Sequence, residues 1–182
     1  DKRISGNSTP RYNFGLNLTA AWRGFDLKVC FQGTLKRDYA PGSGDAVFWG
    51  AGGIGKWQAT GFEQHLDYFR NDPNDPLGLN LDSYYPRANW NGGRNNQVQT
   101  RYLQNAAYCR LKNLTIGYTI PQNITRRFYV QNLRVFFSAE NLFTITSFTD
   151  LGDPEIIDAG GWGFSKTYPL TKNFAFGVSV TL

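Results

Sequence analysis

Several residue types are scarce in this 182-residue chain, and each scarcity excludes a class of protein or site. Methionine is absent, even at position 1, so we expect the chain to start downstream of the translation start. The single histidine, His65, cannot build a His-rich metal site or a pair of catalytic histidines. The two cysteines, Cys30 and Cys109, form neither a dense disulfide framework nor a C-x-x-C motif. The longest uninterrupted apolar runs have four residues, which excludes a transmembrane helix.

Positive charge is also thinly spread. The chain has 19 Lys and Arg against 14 Asp and Glu, a net charge of +5, and no basic run exceeds two residues. Such a distribution points only weakly to nucleic acid, so no nucleic-acid partner is predicted. With one histidine there is no nucleophile–His–acid set. The sequence therefore predicts no enzyme activity, no metal and no cofactor.

Aromatic residues, by contrast, make up 16% of the chain, and apolar and polar residues alternate with a period of two. This alternation is typical of half-buried β-strands. In residues 11–22, for example, Leu16 and Leu18 share one face while Asn17 and Thr19 share the other. No long segment has a helical period, so the fold is predicted to be all-β. Strands are expected at about 11–22, 25–34, 108–120, 132–143 and 173–182.

The length of these segments suggests strands that cross a membrane. A strand needs roughly 9–11 residues to cross a bilayer, whereas strands of globular proteins average about 5–6. The apolar faces also begin or end in aromatic residues, as do the girdles at the two lipid–water boundaries of outer-membrane barrels. These residues are Tyr12, Trp22, Phe25, Tyr118, Phe143 and Phe174. The alternative at this point is a water-soluble sandwich with an aromatic core.

The connections alternate between short and long. Residues 23–24 and about 121–131 form the short ones, and residues 35–107 and 144–172 form the long ones. Bacterial outer-membrane barrels have short periplasmic turns and longer extracellular loops. The pattern therefore predicts an antiparallel, up-and-down transmembrane β-barrel segment with a periplasmic C-terminus and two extracellular loops. Five strands cannot close a barrel, so the remaining strands must come from upstream sequence or from other chains.

Several stretches resemble the C-terminal end of SusC/RagA-type TonB-dependent outer-membrane transporters. The two longest are YCRLKNLTIGYTIP at 108–121 and NLRVFFSAENLFT at 132–144. GNSTPRY at 6–12, RGFDL at 23–27, and the ending YPL at 168–170 followed by FG at 176–177 are also similar to the family. The loop at 35–105 matches only loosely.

The resemblance implies the last five strands of a 22-stranded barrel in the outer membrane of a Gram-negative bacterium, with no separate soluble domain in residues 1–182. It also implies import of oligosaccharides or peptides with a SusD-like surface lipoprotein as a lid. The plug and the TonB box of the family are not in this chain, so contact with TonB is expected through the N-terminal part. The alternative function is a barrel-anchored adhesin or structural component without active transport.

The long loops are the predicted place for substrate or lid contact, because flat aromatic faces beside polar groups suit sugars and peptides alike. The alternative is that these aromatic residues form a small core of the loop itself. The candidates are Trp49, Trp57, Tyr84, Tyr85 and Trp90 in the first loop and Trp162 in the second.

The last strand resembles the signal that the barrel-assembly machinery reads, with Gly177, Val180 and Leu182 at its characteristic spacing. An exposed terminal strand can pair edge to edge with another sheet. The alternative is a plain lipid-facing strand.

Other polar residues are predicted to be structural. By strand parity, Arg134 and Glu140 face the lumen, where we expect them to form ion pairs of the wall. Cys30 and Cys109 are predicted to face the lumen as well, several residue pairs apart, as free thiols. His65 is expected to be a surface loop residue.

Overall fold

The computed structural model describes residues 4–50, 61–89, 95–157, 163 and 167–182. The chain divides into two compact units. The first, here called the sheet unit, comprises Pro10–Arg37, Ala107–Ser147 and Leu170–Leu182. The second, the loop unit, comprises Asp1–Thr9, Asp38–Ala106 and Phe148–Pro169. Each unit is therefore assembled from three separate stretches of sequence.

The described residues are predominantly antiparallel β-structure. The strands are β1 (Arg11–Trp22), β2 (Phe25–Lys36), β3 (Asp38–Tyr39), β4 (Gln104–Asn105), β5 (Tyr108–Thr119), β6 (Asn132–Glu140), β7 (Thr144–Thr146) and β8 (Asn173–Thr181). The helical segments are single turns: α1 (Ala46–Trp49), α2 (Gln122–Thr125), and 3₁₀ turns at Glu63–Leu66, Thr100–Tyr102 and Arg126–Phe128. No helix in this part of the chain is long and apolar enough to span a membrane. The predicted all-β fold is confirmed.

The five long strands form one sheet in the order β1-β2-β5-β6-β8, and the short β7 also pairs with β5. The register places apolar residues on one face across the whole sheet. Val29 lies opposite Leu18 and Leu114, and the row continues through Ala139 to Phe174. Many side chains of this face are exposed, including Leu18, Trp22, Phe25, Ile116, Phe176, Val178 and Val180. The unit therefore presents a broad apolar surface rather than burying it in a core of its own.

β5 carries one residue more than β2 can pair. Along β2 the partner in β5 changes from Asn113 directly to Leu111, so Lys112 is a β-bulge. The bulge shifts the alternation of β5 by one residue. Leu111 therefore pairs with Phe31 on the apolar face, and Arg110 lies on the polar face. There Arg110 donates from Nε to the Thr144 hydroxyl at 2.6 Å.

The same shift changes the expected position of one cysteine. Cys109 lies opposite Gly33 in the register of the apolar face, whereas Cys30 lies opposite Asn17 and Asn113 on the polar face. The prediction that both thiols face the lumen is therefore wrong, because simple parity does not include the bulge. Both cysteines are free, as predicted.

β6 ends earlier than the sequence suggests. It stops at Glu140, and Asn141 adopts a left-handed conformation with φ of 51°. The backbone N–H of Asn141 donates to the carbonyl of the bulged Lys112 at 3.1 Å. Pairing with β5 resumes where Thr144 of β7 lies opposite Arg110. Between these pairs the β6–β7 segment has three residues, 141–143, where β5 has two, so the irregularity of β5 continues into its other neighbour.

The hairpin between β1 and β2 contains only Arg23 and Gly24. Both have positive φ, 48° and 90°, as the twist of a two-residue hairpin requires. A Cβ at Gly24 would lie 2.8 Å from the carbonyl oxygen of Thr119. Next to this turn the Phe25 ring packs on Tyr118, with 4.5 Å between the centroids.

Candidate functional site

The loop unit has a core of its own, here called the aromatic cluster. Its buried members are Tyr39, Phe48, Trp49, Tyr85, Tyr102, Ala106 and Phe148. Phe48 is at its centre and is only 1% exposed. The Phe48 ring makes edge-to-face contacts with Trp49, Tyr85 and Tyr102, at centroid distances of 4.9, 5.8 and 6.2 Å. The described part of the first long loop is therefore packed around a core.

A buried carboxylate lies at the N-terminus of α1 and accepts hydrogen bonds there. Asp45 is fully buried and accepts from the Phe48 amide at 3.2 Å, which caps the helical turn. Its other oxygen accepts from the Tyr39 hydroxyl at 2.5 Å. The Trp49 indole donates to the carbonyl of Gly42 at 2.8 Å. These bonds give the buried polar atoms of Tyr39, Asp45 and Trp49 partners inside a mostly aromatic core.

His65 lies in the 3₁₀ turn at Glu63–Leu66 and joins that turn to the aromatic cluster. The Phe62 amide donates to Nδ1 at 3.0 Å, so Nδ1 is the acceptor of the ring. Nε2 therefore carries the proton and donates to the carbonyl of Phe48 at 3.1 Å. Both ring nitrogens thus have backbone partners, and His65 is half-buried rather than a free surface side chain.

The segment 66–85, here called the arm, is held together by side chains that bond its backbone. Asp67 accepts from the Asn80 amide group at 2.8 Å and from the Tyr84 backbone N–H at 3.0 Å. These two donors hold the pKa of Asp67 below its usual value. Arg70 donates to the carbonyls of Leu66 and Gly78, at 2.6 and 2.8 Å. The arm therefore has a defined shape with little apolar core.

A cleft of about 430 Å³ lies between the arm and residues 95–102. It is lined by aromatic, charged and amide side chains, among them Phe69, Asp82, Tyr84, Arg87, Asn95 and Arg101. The Tyr84 hydroxyl accepts from the Gln104 amide group at 3.0 Å. Burial raises the pKa of Tyr84 and Tyr85 further above neutral pH. This combination can bind polar ligands that also have a flat or apolar face.

Two arginines of this cleft carry no recognisable signal in the sequence. Arg101 donates from Nε to the carbonyl of Tyr84 at 3.1 Å and also bonds the carbonyl of Ser83, so it supports the wall of the cleft. Arg87 is exposed and bonds the side chain of Asn71. Of the two, Arg87 is the better placed to reach a ligand.

The predicted contact residues fall into three groups. Trp49 and Tyr85 are buried in the aromatic cluster, at 3% and 7% exposure, which favours the alternative of a loop core for these two. Tyr84 is half-buried and lines the cleft. Trp57, Trp90 and Trp162 lie outside the described residues. In the part of the chain that the structure describes, no three His, Cys, Asp or Glu side chains are grouped to hold a metal.

Two of the charged residues predicted to face the lumen bond side chains of neighbouring strands. Arg134 binds Asp26 through both carboxylate oxygens, at 2.8 and 2.5 Å. Glu140 accepts from the Asn173 amide group at 3.0 Å. Arg134 thus forms the kind of wall ion pair that the sequence predicts, while the described partner of Glu140 is an amide.

The residues of the predicted assembly signal lie in and just after β8. Gly177 is opposite Phe136, and Val180 is opposite Leu133. Val180 and Leu182 are exposed. These positions suit a lipid-facing strand, and the role as an assembly signal remains a prediction.

Comparison with known proteins gives a consistent picture, although no family model matches the chain. It is 26% identical over 155 residues to TonB-dependent receptor P3 of Formosa agariphila, covering 85% of this chain and 14% of that protein. It is 24% identical over 190 residues to TonB-dependent receptor P26 of the same organism, covering 100% of this chain and 18% of that protein. The chain thus spans less than a fifth of the length of the curated relatives it matches.

Solved structures of the RagAB peptide importer are also similar to this chain. The closed-closed state matches with a TM-score of 0.65 and 26% identity, over 98% of this chain and 18% of that one. The open-open state matches with a TM-score of 0.65 and 28% identity, over 99% of this chain and 18% of that one. The likeness therefore extends through both units of the chain.

Proposed function

We infer that this chain, a C-terminal segment of a SusC/RagA-type TonB-dependent transporter, supplies barrel wall and external loops to an importer in the Gram-negative outer membrane. The observation that carries this proposal is the sheet of five long strands with an apolar face on which many large side chains are exposed. Such a face suits acyl chains, and closed barrels are the β-structures that can span a bilayer. The long connections would lie outside the cell and the C-terminus in the periplasm.

The proposed cargo is a peptide, with oligosaccharides as the alternative. The solved relative is a peptide importer, and the cleft near Tyr84 offers groups that can serve a peptide. Arg87 can donate to carboxylate or carbonyl oxygens, and Asp82 and Asn95 add an anionic and an amide group. In this proposal the chain binds and guides cargo and is not an enzyme.

The proposed partners follow from the same family. A SusD-like surface lipoprotein would close over the external loops, and TonB would act through an N-terminal part of the complete transporter. The barrel-assembly machinery would insert the strands into the membrane, next to the remaining strands and the plug of the same barrel. The expected distinction from an anchored adhesin is energy-dependent uptake.

The test is uptake of labelled peptides and labelled oligosaccharides by cells that carry the complete transporter. We expect peptide uptake that disappears when TonB is deleted, while binding at the cell surface persists. Arg87→Ala should raise the half-saturating peptide concentration about tenfold, the order expected for losing a charged hydrogen bond. The matched control is Arg127→Ala, an exposed arginine in the short connection after α2. Surface binding without TonB-dependent uptake would contradict import and favour the anchored adhesin.

A further inference from the structure

One aromatic ring lies on the polar face of the sheet unit and covers a glycine. Phe136 of β6 is directly opposite Gly177 of β8. A Cβ at Gly177 would overlap this ring. Cε2, the farthest of the three nearest ring atoms, would be 2.9 Å away, a distance that real Cβ atoms do not show. The ring can therefore lie flat against β8 only because residue 177 has no side chain.

A second glycine in the same cross-strand row is covered by an ion pair. Gly117 of β5 lies between Asp26 of β2 and Phe136 of β6. The Arg134–Asp26 pair passes over it, and a Cβ at Gly117 would lie 2.5 Å from Asp26 Oδ1 and 2.7 Å from Arg134 Cζ. The same guanidinium group is 5.0 Å from the centroid of the Phe136 ring. Asp26, Arg134 and Phe136 thus form one continuous band from β2 to β8.

The apolar face cannot by itself set the position of β8. Phe174, Phe176, Val178 and Val180 are all apolar at alternate positions. A slip of two residues along β6 would keep all four on the same face and three of them opposite an apolar residue of β6, while the fourth would face Asn141 or Gln131 just beyond the strand. Within the described residues β8 pairs with β6 alone, so a further device is needed to select one register.

The polar face does discriminate between these registers. A slip of two residues would bring Ala175 or Ser179 opposite Phe136 in place of Gly177. Either residue has a Cβ where the ring now lies. A slip of β5 by two residues would likewise bring Thr115 or Thr119 into the place of Gly117. The Cβ of either threonine would obstruct the Arg134–Asp26 pair. Only the observed register places both glycines under both groups.

We propose that the Phe136 ring on Gly177, extended by the Arg134–Asp26 pair over Gly117, selects the register in which β8 joins the sheet. This role is independent of cargo import. It also gives Gly177 a function inside the folded wall, distinct from recognition by the assembly machinery.

The test measures register directly by cysteine cross-linking in the complete transporter in outer membranes, with Cys30→Ser, Cys109→Ala and replacement of any other native cysteine of the transporter. Val135→Cys with Val178→Cys reports the observed register, because these residues are directly opposite. Val135→Cys with Val180→Cys reports a slip of two residues. Gly177→Ala should lower the first cross-link about tenfold and raise the second, as overpacking would produce. Gly15→Ala is the matched control, since a Cβ there meets nothing within 4 Å.

The double variant separates this proposal from the alternatives. In a Phe136→Ala background both cross-links should form, and adding Gly177→Ala should change neither. If Gly177→Ala alone does not reach the membrane, recovery by Phe136→Ala would support the proposal and failure to recover would overturn it. An equal loss in both backgrounds would also overturn it and would indicate recognition of Gly177 by the assembly machinery. No effect of Gly177→Ala on either cross-link would overturn it as well.

Discussion

The two units of this chain differ in whether they bury or expose large apolar side chains. In the sheet unit Phe176 is 84% exposed, on a face that it shares with other exposed Phe, Val and Leu side chains. In the loop unit Phe48 is 1% exposed and is surrounded by Trp and Tyr rings. Both units make backbone hydrogen bonds in strands or turns, so the presence of such bonds does not account for the contrast.

The contrast indicates the solvent in which each unit folds. Exposing a large apolar side chain to water forfeits about 1.5–3 kcal/mol of burial free energy, and a whole sheet face of them would aggregate. The loop unit avoids this loss by building a core. The sheet unit has no such core beneath its apolar face, which is the expected arrangement where the surrounding medium is itself apolar.

The largest expected effect comes from breaking the core of the loop unit. Phe48→Ala should reduce the local stability of this unit by about 3–5 kcal/mol, because it leaves a cavity at the centre of the aromatic cluster. Hydrogen exchange of the α1 amides in the complete protein measures the change. Phe62→Ala is the control, since that ring is exposed in the same unit. Equal effects of the two variants would contradict a water-excluding core.

A charged residue on the apolar face should have the next largest effect. Leu18→Arg is expected to lower the free energy of unfolding in lipid vesicles by about 2–4 kcal/mol, because the guanidinium group would enter the acyl chains. Thr19→Arg, one residue along on the polar face, should change it by only about 0.5 kcal/mol. Urea titration of both variants provides the comparison. Similar values for the two would mean that lipid does not contact this face.

The smallest predicted effect concerns pH and the arm. The hydrogen bonds from Asn80 and Tyr84 lower the pKa of Asp67, so its carboxylate stabilises the arm above the unfolded value of 3.8. That contribution should be lost as the pH falls through the lower folded pKa. The protection factor of the Tyr84 amide in hydrogen exchange should decrease accordingly.

Asp67→Asn should remove this pH dependence, whereas Asp82→Asn, an exposed aspartate of the same arm, should leave it unchanged. If the protection factor of the Tyr84 amide fell with pH equally in the Asp67→Asn variant, another group would be responsible.

The fold class was predictable because the alternation of apolar and polar residues along each strand can be read from the sequence alone. Runs such as Leu16, Leu18 and Ala20 specify a face without any knowledge of the partner strands. The bulge at Lys112 was harder to find, because Arg110 to Leu114 reads as a strand in either phase. The available signal was the three-residue separation of Leu111 and Leu114, which a regular strand would place on opposite faces.

The candidate site was less predictable than the sheet. Aromatic residues mark a loop as structured, but composition does not separate those that form a core from those that line a cleft. Trp49 and Tyr85 belong to the core, while Tyr84, adjacent to Tyr85, lines the cleft. Arg87 and Arg101 could not be singled out, since an arginine in a loop follows no period and the fold alone brings them beside Tyr84.

The aromatic cluster has a consequence for biosynthesis. Tyr39 and Phe148 pack edge to face at 5.7 Å, yet the residues of β5, β6 and β7 separate them in the sequence. The rings that precede Phe148 in the sequence therefore lack this partner until Phe148 has been synthesised. Completion of the aromatic cluster therefore requires residues from both long loops, so the first long loop cannot reach its final packing before the second is present.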